Sequence, residues 1–112
     1  MKIFVWNARG LGSLRAFNTL RRRKEEANPA LMFLLETKCH HVKLEKWKVK
    51  LGFIGKLVVD CIGKAGGLCL YWSNEVNVGP LSYSHAHIDV RIRRINKQSW
   101  RFTGFYGDPD GT

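Results

Sequence analysis

Residues Ala30 to Glu36 read ALMFLLE, and the first six carry no polar side chain. Asn28-Pro29 immediately before them is turn chemistry, because proline disfavours helix in the residue it follows. A continuous apolar run behind such a stop suits a strand buried on both faces, the pattern of parallel sheets covered by helices. Upstream, Ile3 to Trp6 is a second β-branched and aromatic run; it ends at Asn7, and Arg9-Gly10-Leu11-Gly12 supplies turn punctuation. Between the two strands, Leu14 to about Ala27 brings Leu14, Phe17 and Leu20 round at helical spacing. Arg15, Arg21, Arg22, Arg23 and Lys24 fall largely elsewhere on the wheel, and Ser13 stands ready as the N-cap. Strand, helix, strand in that order predicts a parallel crossover and an α/β core.

Val42 to about Leu51 carries Leu44 and Trp47 and predicts a second, short helix stopped by Gly52. The period then changes. Phe53 to Ile62, Leu68 to Trp72, His85 to Arg93 and Trp100 to Tyr106 read as strands of an antiparallel meander, separated by Gly63 to Gly67, Ser73 to Pro80 and Asn96-Lys97. Within the third, Ile88, Val90 and Ile92 alternate with Asp89, Arg91 and Arg93, which predicts one dry face and one wet face. Gly107 to Thr112 reads as a turn-rich tail, and no internal repeat is present.

At 112 residues the chain suits one small domain, and 45% hydrophobic residues are enough for a packed core. Nineteen Lys plus Arg against nine Asp plus Glu give a formal net charge of +10, a field that attracts polyanions, nucleic acid first among them. Cys39, Cys61 and Cys69 are odd in number and form no CxxC pair, which suits free thiols in a reducing compartment. Cys39-His40-His41 matches no zinc spacing and reads as a surface loop. The N-terminal apolar run is too short for a signal peptide and no stretch is long enough to span a bilayer, so no membrane partner is expected.

Three strand ends remain to be read together: Val5-Trp6-Asn7-Ala8-Arg9-Gly10-Leu11, Leu35-Glu36-Thr37-Lys38 and Thr103-Gly104-Phe105-Tyr106-Gly107-Asp108-Pro109. Singly each has an ordinary reading: a turn residue before Gly10, a charge closing a strand, an aromatic packing its ring. In this order, at the ends of strands, they resemble the first half of the endonuclease/exonuclease/phosphatase family. The wording is most similar to the plant LINE-type (non-LTR) retrotransposon branch, as is Gly63-Lys64-Ala65-Gly66-Gly67-Leu68 with Tyr71-Trp72.

The resemblance covers essentially the whole chain. It implies the N-terminal half of a four-layered α/β sandwich of the DNase I-like kind, here one mixed sheet with two helices. Residues 1–112 would be a partial domain lacking its C-terminal half. It implies Asn7, Glu36 and Tyr106 as catalytic residues, with Glu36 and Asn7 holding Mg²⁺ or Mn²⁺ and Tyr106 donating its hydroxyl to the scissile phosphate. Arg9 stands where some members place aspartate, and a guanidinium there fits a phosphate bidentately. Arg21, Arg22 and Arg23 would add nucleic-acid contacts, although such a run is also an ordinary solvated helix face.

The family's Asp-x-Asn pair and C-terminal Asp-His segment do not follow Tyr106. A truncated nicking endonuclease with little or no activity alone is therefore the expectation. The apolar sheet face would await self-association or a complementary half-domain. DNA is the expected partner and the nucleus the expected place of work. A catalytically inert basic module that binds nucleic acid, or a decayed element with no selected function, would share this composition.

Overall fold

The computed structural model describes residues 1–63, 65–94 and 96–106. The crossover predicted from the sequence is present. Ile3–Asn7 (β1), Leu14–Ala27 (α1) and Leu31–Leu35 (β2) follow one another, and β1 pairs with β2 in parallel, Asn7 opposite Leu35. Ser13 Oγ accepts the Ala16 N–H at 3.1 Å and opens α1, satisfying one of the donors a helix start leaves over. His41–Leu51 (α2) follows, then Gly55–Val59 (β3) and Leu68–Trp72 (β4), which pair antiparallel. The first sheet has the order β1-β2-β4-β3. Its helix-side face packs Met32, Leu34 and Tyr71 against Phe17, Leu20, Leu44 and Trp47 of the two helices. The buried Tyr71 hydroxyl donates to Leu44 O at 2.6 Å, tying β4 to α2.

The expected single sheet is corrected: there are two. Asn77–Ser84 (β5), His87–Arg93 (β6) and Trp100–Phe105 (β7) form a separate antiparallel sheet that packs on the far face of the first. Strand β5 lay hidden because Gly79 and Pro80 read as turn punctuation. Proline is tolerated in an edge strand and at a bulge, and the β5–β6 register shifts between Pro80 and Ser82. The predicted alternation in β6 holds, with Ile88, Val90 and Ile92 fully buried against Leu31, Phe33, Leu68 and Leu70. Three such side chains contribute about 1.5–3 kcal/mol each relative to exposure.

The sheet face expected to await a partner is thus largely covered by the chain itself. Its exposed remainder is on β1, an edge strand whose Ile3 and Val5 are 40% and 56% exposed. Close contact between the sheets depends on Gly104. A Cβ there would lie 2.4 Å from a ring carbon of Phe33, which also meets Phe102 edge-on at 5.7 Å between centroids. The tail from Gly107 to Thr112 lies outside the described residues.

The outer face of the second sheet is not uniformly wet. Asp89 is buried, held by Arg101 Nε at 2.8 Å, Arg101 Nη2 at 2.5 Å and Thr103 Oγ1 at 3.0 Å. The Arg101 hydrogen bonds hold its carboxyl below the ordinary aspartate value of 3.8. A depressed pKa stabilises the fold fully above that ordinary value, and the contribution disappears as pH falls through the lower folded value. Thermal melts from about pH 6 to about pH 2 are expected to show Asp89→Asn less stable at the upper end and converging on wild type at the lower.

Candidate active site

Parallel pairing of β1 with β2 carries both strand ends to the same side of the sheet, where an α/β fold presents side chains to a shared cleft. Three loops are laced together there by backbone bonds. Ala8 N donates to Leu35 O at 2.9 Å, Gly10 N to Glu36 O at 2.7 Å and Leu11 N to Thr37 O at 2.9 Å. The third loop joins through Thr37 N to Gly67 O at 3.1 Å and Lys38 N to Gly66 O at 2.9 Å. Gly67, at φ 96°, passes so close that a Cβ would stand 2.3 Å from Thr37 Oγ1. That hydroxyl is buried and has no hydrogen-bond partner among the described residues.

Along this lacing, Arg9, Glu36 and Lys38 all take positive φ, at 50°, 51° and 53°. Such values are uncommon without glycine and each costs on the order of 1–3 kcal/mol. Local bonding fixes the turn after β1, since Asn7 Oδ1 accepts the Arg9 N–H at 3.2 Å. The ordinary reading of Asn7 as a turn former is therefore realised, with its exposed amide still at the strand end.

Tyr106 reaches this corner from the other sheet. Its backbone N–H is fixed by Ala86 O at 2.8 Å, and its hydroxyl donates to Glu36 Oε1 across 70 residues of sequence. Both side chains are half-buried. Tyr106 also lines a cavity of about 410 Å³, together with Asp60, Ile62, Gly66, Gly67 and His85.

The structure thus brings Glu36 and Tyr106 into contact and sets Asn7 one register step from Glu36. Arg9 lies exposed on the same turn as Asn7. Arg21, Arg22 and Arg23 are not gathered in. They lie on α1, which starts at this end and runs away from it, so Arg21 stands about 12 Å down the axis from Ser13 at ~1.5 Å per residue. Arg21 pairs instead with Glu25 at 3.5 Å on exposed surface.

Asp60, on the cavity wall, belongs to a pair that no spacing in the sequence signals. Asp60, 19 residues from His41, accepts the His41 backbone N–H at 3.0 Å and meets its ring Nδ1 at 3.2 Å. Partial desolvation pushes the Asp60 carboxyl up, but the ring and backbone bonds from His41 outweigh it and hold the group below its ordinary value. This carboxylate caps α2 in place of a side-chain cap from His40. Cys39, expected in a surface loop, is buried in the helix-side core, where burial pushes its thiol pKa up.

The donors at the strand ends are the Glu36 carboxylate and the Asn7 amide, all oxygen. Among the described residues no group of three or more His, Cys, Asp and Glu could cage an ion. That set fits a hard cation such as Mg²⁺, which commonly takes one or two protein carboxylates and completes its shell with water and phosphate oxygens.

No family model matches the chain, and no curated protein does. Among solved structures, the AP endonuclease LMAP from Leishmania major superposes with a TM-score of 0.69 at 16% identity. The match takes in 98% of this chain and 41% of that one, so this chain spans less than half its neighbour's length. Two helices on one side of two packed sheets are thus part of a DNase I-like α/β sandwich.

Proposed function

We propose that these residues form the metal-binding and phosphate-binding side of a metal-dependent phosphodiester endonuclease, related to the nicking enzymes of LINE-type retrotransposons. The observation that carries this reading is the hydrogen bond from Tyr106 to Glu36, which joins two sheets at the strand ends. Structural likeness to an AP endonuclease supports a nuclease-like fold, and the net charge of +10 supports a polyanionic substrate.

In this reading Glu36 and Asn7 would hold Mg²⁺ or Mn²⁺, a Lewis acid that would supply charge neutralisation at the scissile phosphate of DNA. Tyr106 donates its hydroxyl to a non-bridging phosphate oxygen once substrate displaces it from Glu36, an interaction that strengthens as the transition state gathers charge. Arg9 takes a neighbouring phosphate, where its planar fork matches two oxygens. Glu36, Asn7, Tyr106 and Arg9 bind and orient the metal and the phosphate in this reading, and none of them is a base that could activate water, so residues 1–112 by themselves are expected to bind without nicking.

The experiment pairs Mn²⁺ titration, read by paramagnetic broadening of backbone NMR signals, with nicking of supercoiled plasmid in Mg²⁺ or EDTA. Broadening centred on Asn7, Glu36 and Tyr106 without nicking is the expected result. Nicking that requires both Mg²⁺ and Glu36 would establish the reaction class and overturn inactivity of the chain alone. No localised broadening and no nicking would overturn the metal reading in favour of an inert basic nucleic-acid-binding module.

A further inference from the structure

Helix α2 sorts its charges. Glu45 pairs with Lys48 at 3.0 Å and with Lys56 of β3 at 3.2 Å, whereas Lys43, Lys46 and Lys50 line one stripe at spacings of three and four. None of these three enters an ion pair among the described residues, and all are exposed. Like charges at such spacings destabilise an isolated helix.

The stripe is also held in place. Lys43 Nζ donates to Gly12 O at 2.9 Å and sits 5.5 Å above the Trp47 ring, while Lys50 Nζ lies 5.7 Å from the Phe17 ring. The three lysines, Lys38, His40 and Gly12 line one open groove between α2 and the loop after β1. One end of that groove lies at the loop lacing that carries the candidate site, since Lys38 is two residues past Glu36 and bonds to Gly66 within it.

We propose that this groove binds a single-stranded extension of the nucleic acid as it leaves the site; the inference rests on the nuclease reading. Its course favours that occupant. From Lys43 to Lys50 the stripe runs about 10 Å along the helix axis, so its ammonium groups can track successive phosphates of one strand. Helix α2 leads from the end of β2 back to the start of β3, and these two strands run in the same direction on either side of β4, so the stripe leads away from the strand ends that carry the site. A duplex, stiff over ~150 base pairs, cannot lie on the end face and also turn down the side of a body 41 × 32 × 22 Å in extent. A single strand can.

The test measures anisotropy of labelled oligonucleotides with the full chain in EDTA, so that cleavage plays no part. It compares a blunt duplex with the same duplex carrying a ten-nucleotide overhang. The overhang is expected to tighten binding, and Lys46→Gln/Lys50→Gln to remove that gain. Two lost phosphate contacts on a single strand should lower the salt slope by about 1.4 and weaken overhang binding roughly 20-fold near 0.1 M salt. Blunt-duplex affinity should change far less, and an unchanged circular dichroism melt shows the variant folded. Equal affinities for blunt and overhung duplexes, or equal losses on both, would overturn the groove while leaving the metal reading standing. Site-centred Mn²⁺ broadening lost with Glu36 but no overhang gain would separate the two failures in the same way.

Discussion

Replacing Phe33 by alanine is expected to cost about 3–5 kcal/mol, the usual penalty for deleting a buried aromatic and leaving its cavity. That is a large part of the roughly 5–15 kcal/mol that holds a domain of this size together, so the melting temperature should drop by more than 10 °C, at about 4 °C per kcal/mol. Phe33 is 2% exposed and stands where the sheets touch, against Phe102 and the bare backbone of Gly104. Gly104→Ala alone should cost about 1–3 kcal/mol, because its methyl must displace the ring. In the Phe33→Ala background the same methyl enters space already vacated, and its cost should fall below about 0.5 kcal/mol. Phe105→Ala, at a position 71% exposed, should change stability by no more than about 0.5 kcal/mol. Additive costs for Phe33→Ala and Gly104→Ala, measured by denaturant unfolding, would show that the two sheets do not meet at this contact.

How legible this interface was in the sequence depended on which signal each element carried. The crossover could be read because α1 and β2 carry strong, separate periods and because Ser13 and Asn28-Pro29 mark their boundaries. The period-two pattern of β6 likewise named Ile88, Val90 and Ile92 as core. A pattern of that kind says which face is dry and not what covers it, so one sheet was expected where two pack. The missing piece was β5, whose Gly79 and Pro80 are local breakers tolerated only because the strand lies at an edge and bulges. At the site, strand-end placement of Asn7, Glu36 and Tyr106 could be read from motif wording, but the positive φ of Glu36 could not. The Asp60–His41 pair and the alignment of Lys43, Lys46 and Lys50 with the loop at Gly12 exist only once the helix is docked.

Two substitutions of Glu36 should be alike in metal binding and differ in stability. Its carboxylate is the only acidic group in the proposed ligand pair, so Glu36→Ala and Glu36→Gly should each weaken Mn²⁺ binding at least tenfold, on the order of the cost of a lost ligand-shell partner. Tyr106→Phe should retain Mn²⁺ affinity, since it removes only the hydroxyl that meets Glu36 Oε1. Stability separates the two Glu36 variants. At φ 51° alanine keeps the Cβ strain, which runs to about 1–2 kcal/mol for an L-residue in the left-handed region. Glycine removes that strain and gives back about 0.5–1 kcal/mol in unfolded-chain entropy. The half-buried Tyr106 hydroxyl can turn to water in either variant. Glu36→Gly should therefore equal or exceed Glu36→Ala in stability, reversing the order usual within strands and helices, where glycine is the weaker residue. Alanine clearly more stable than glycine would show that the loop carries no such strain. Mn²⁺ affinity unchanged in both would remove Glu36 as the ligand, while the sandwich that positions it would stand.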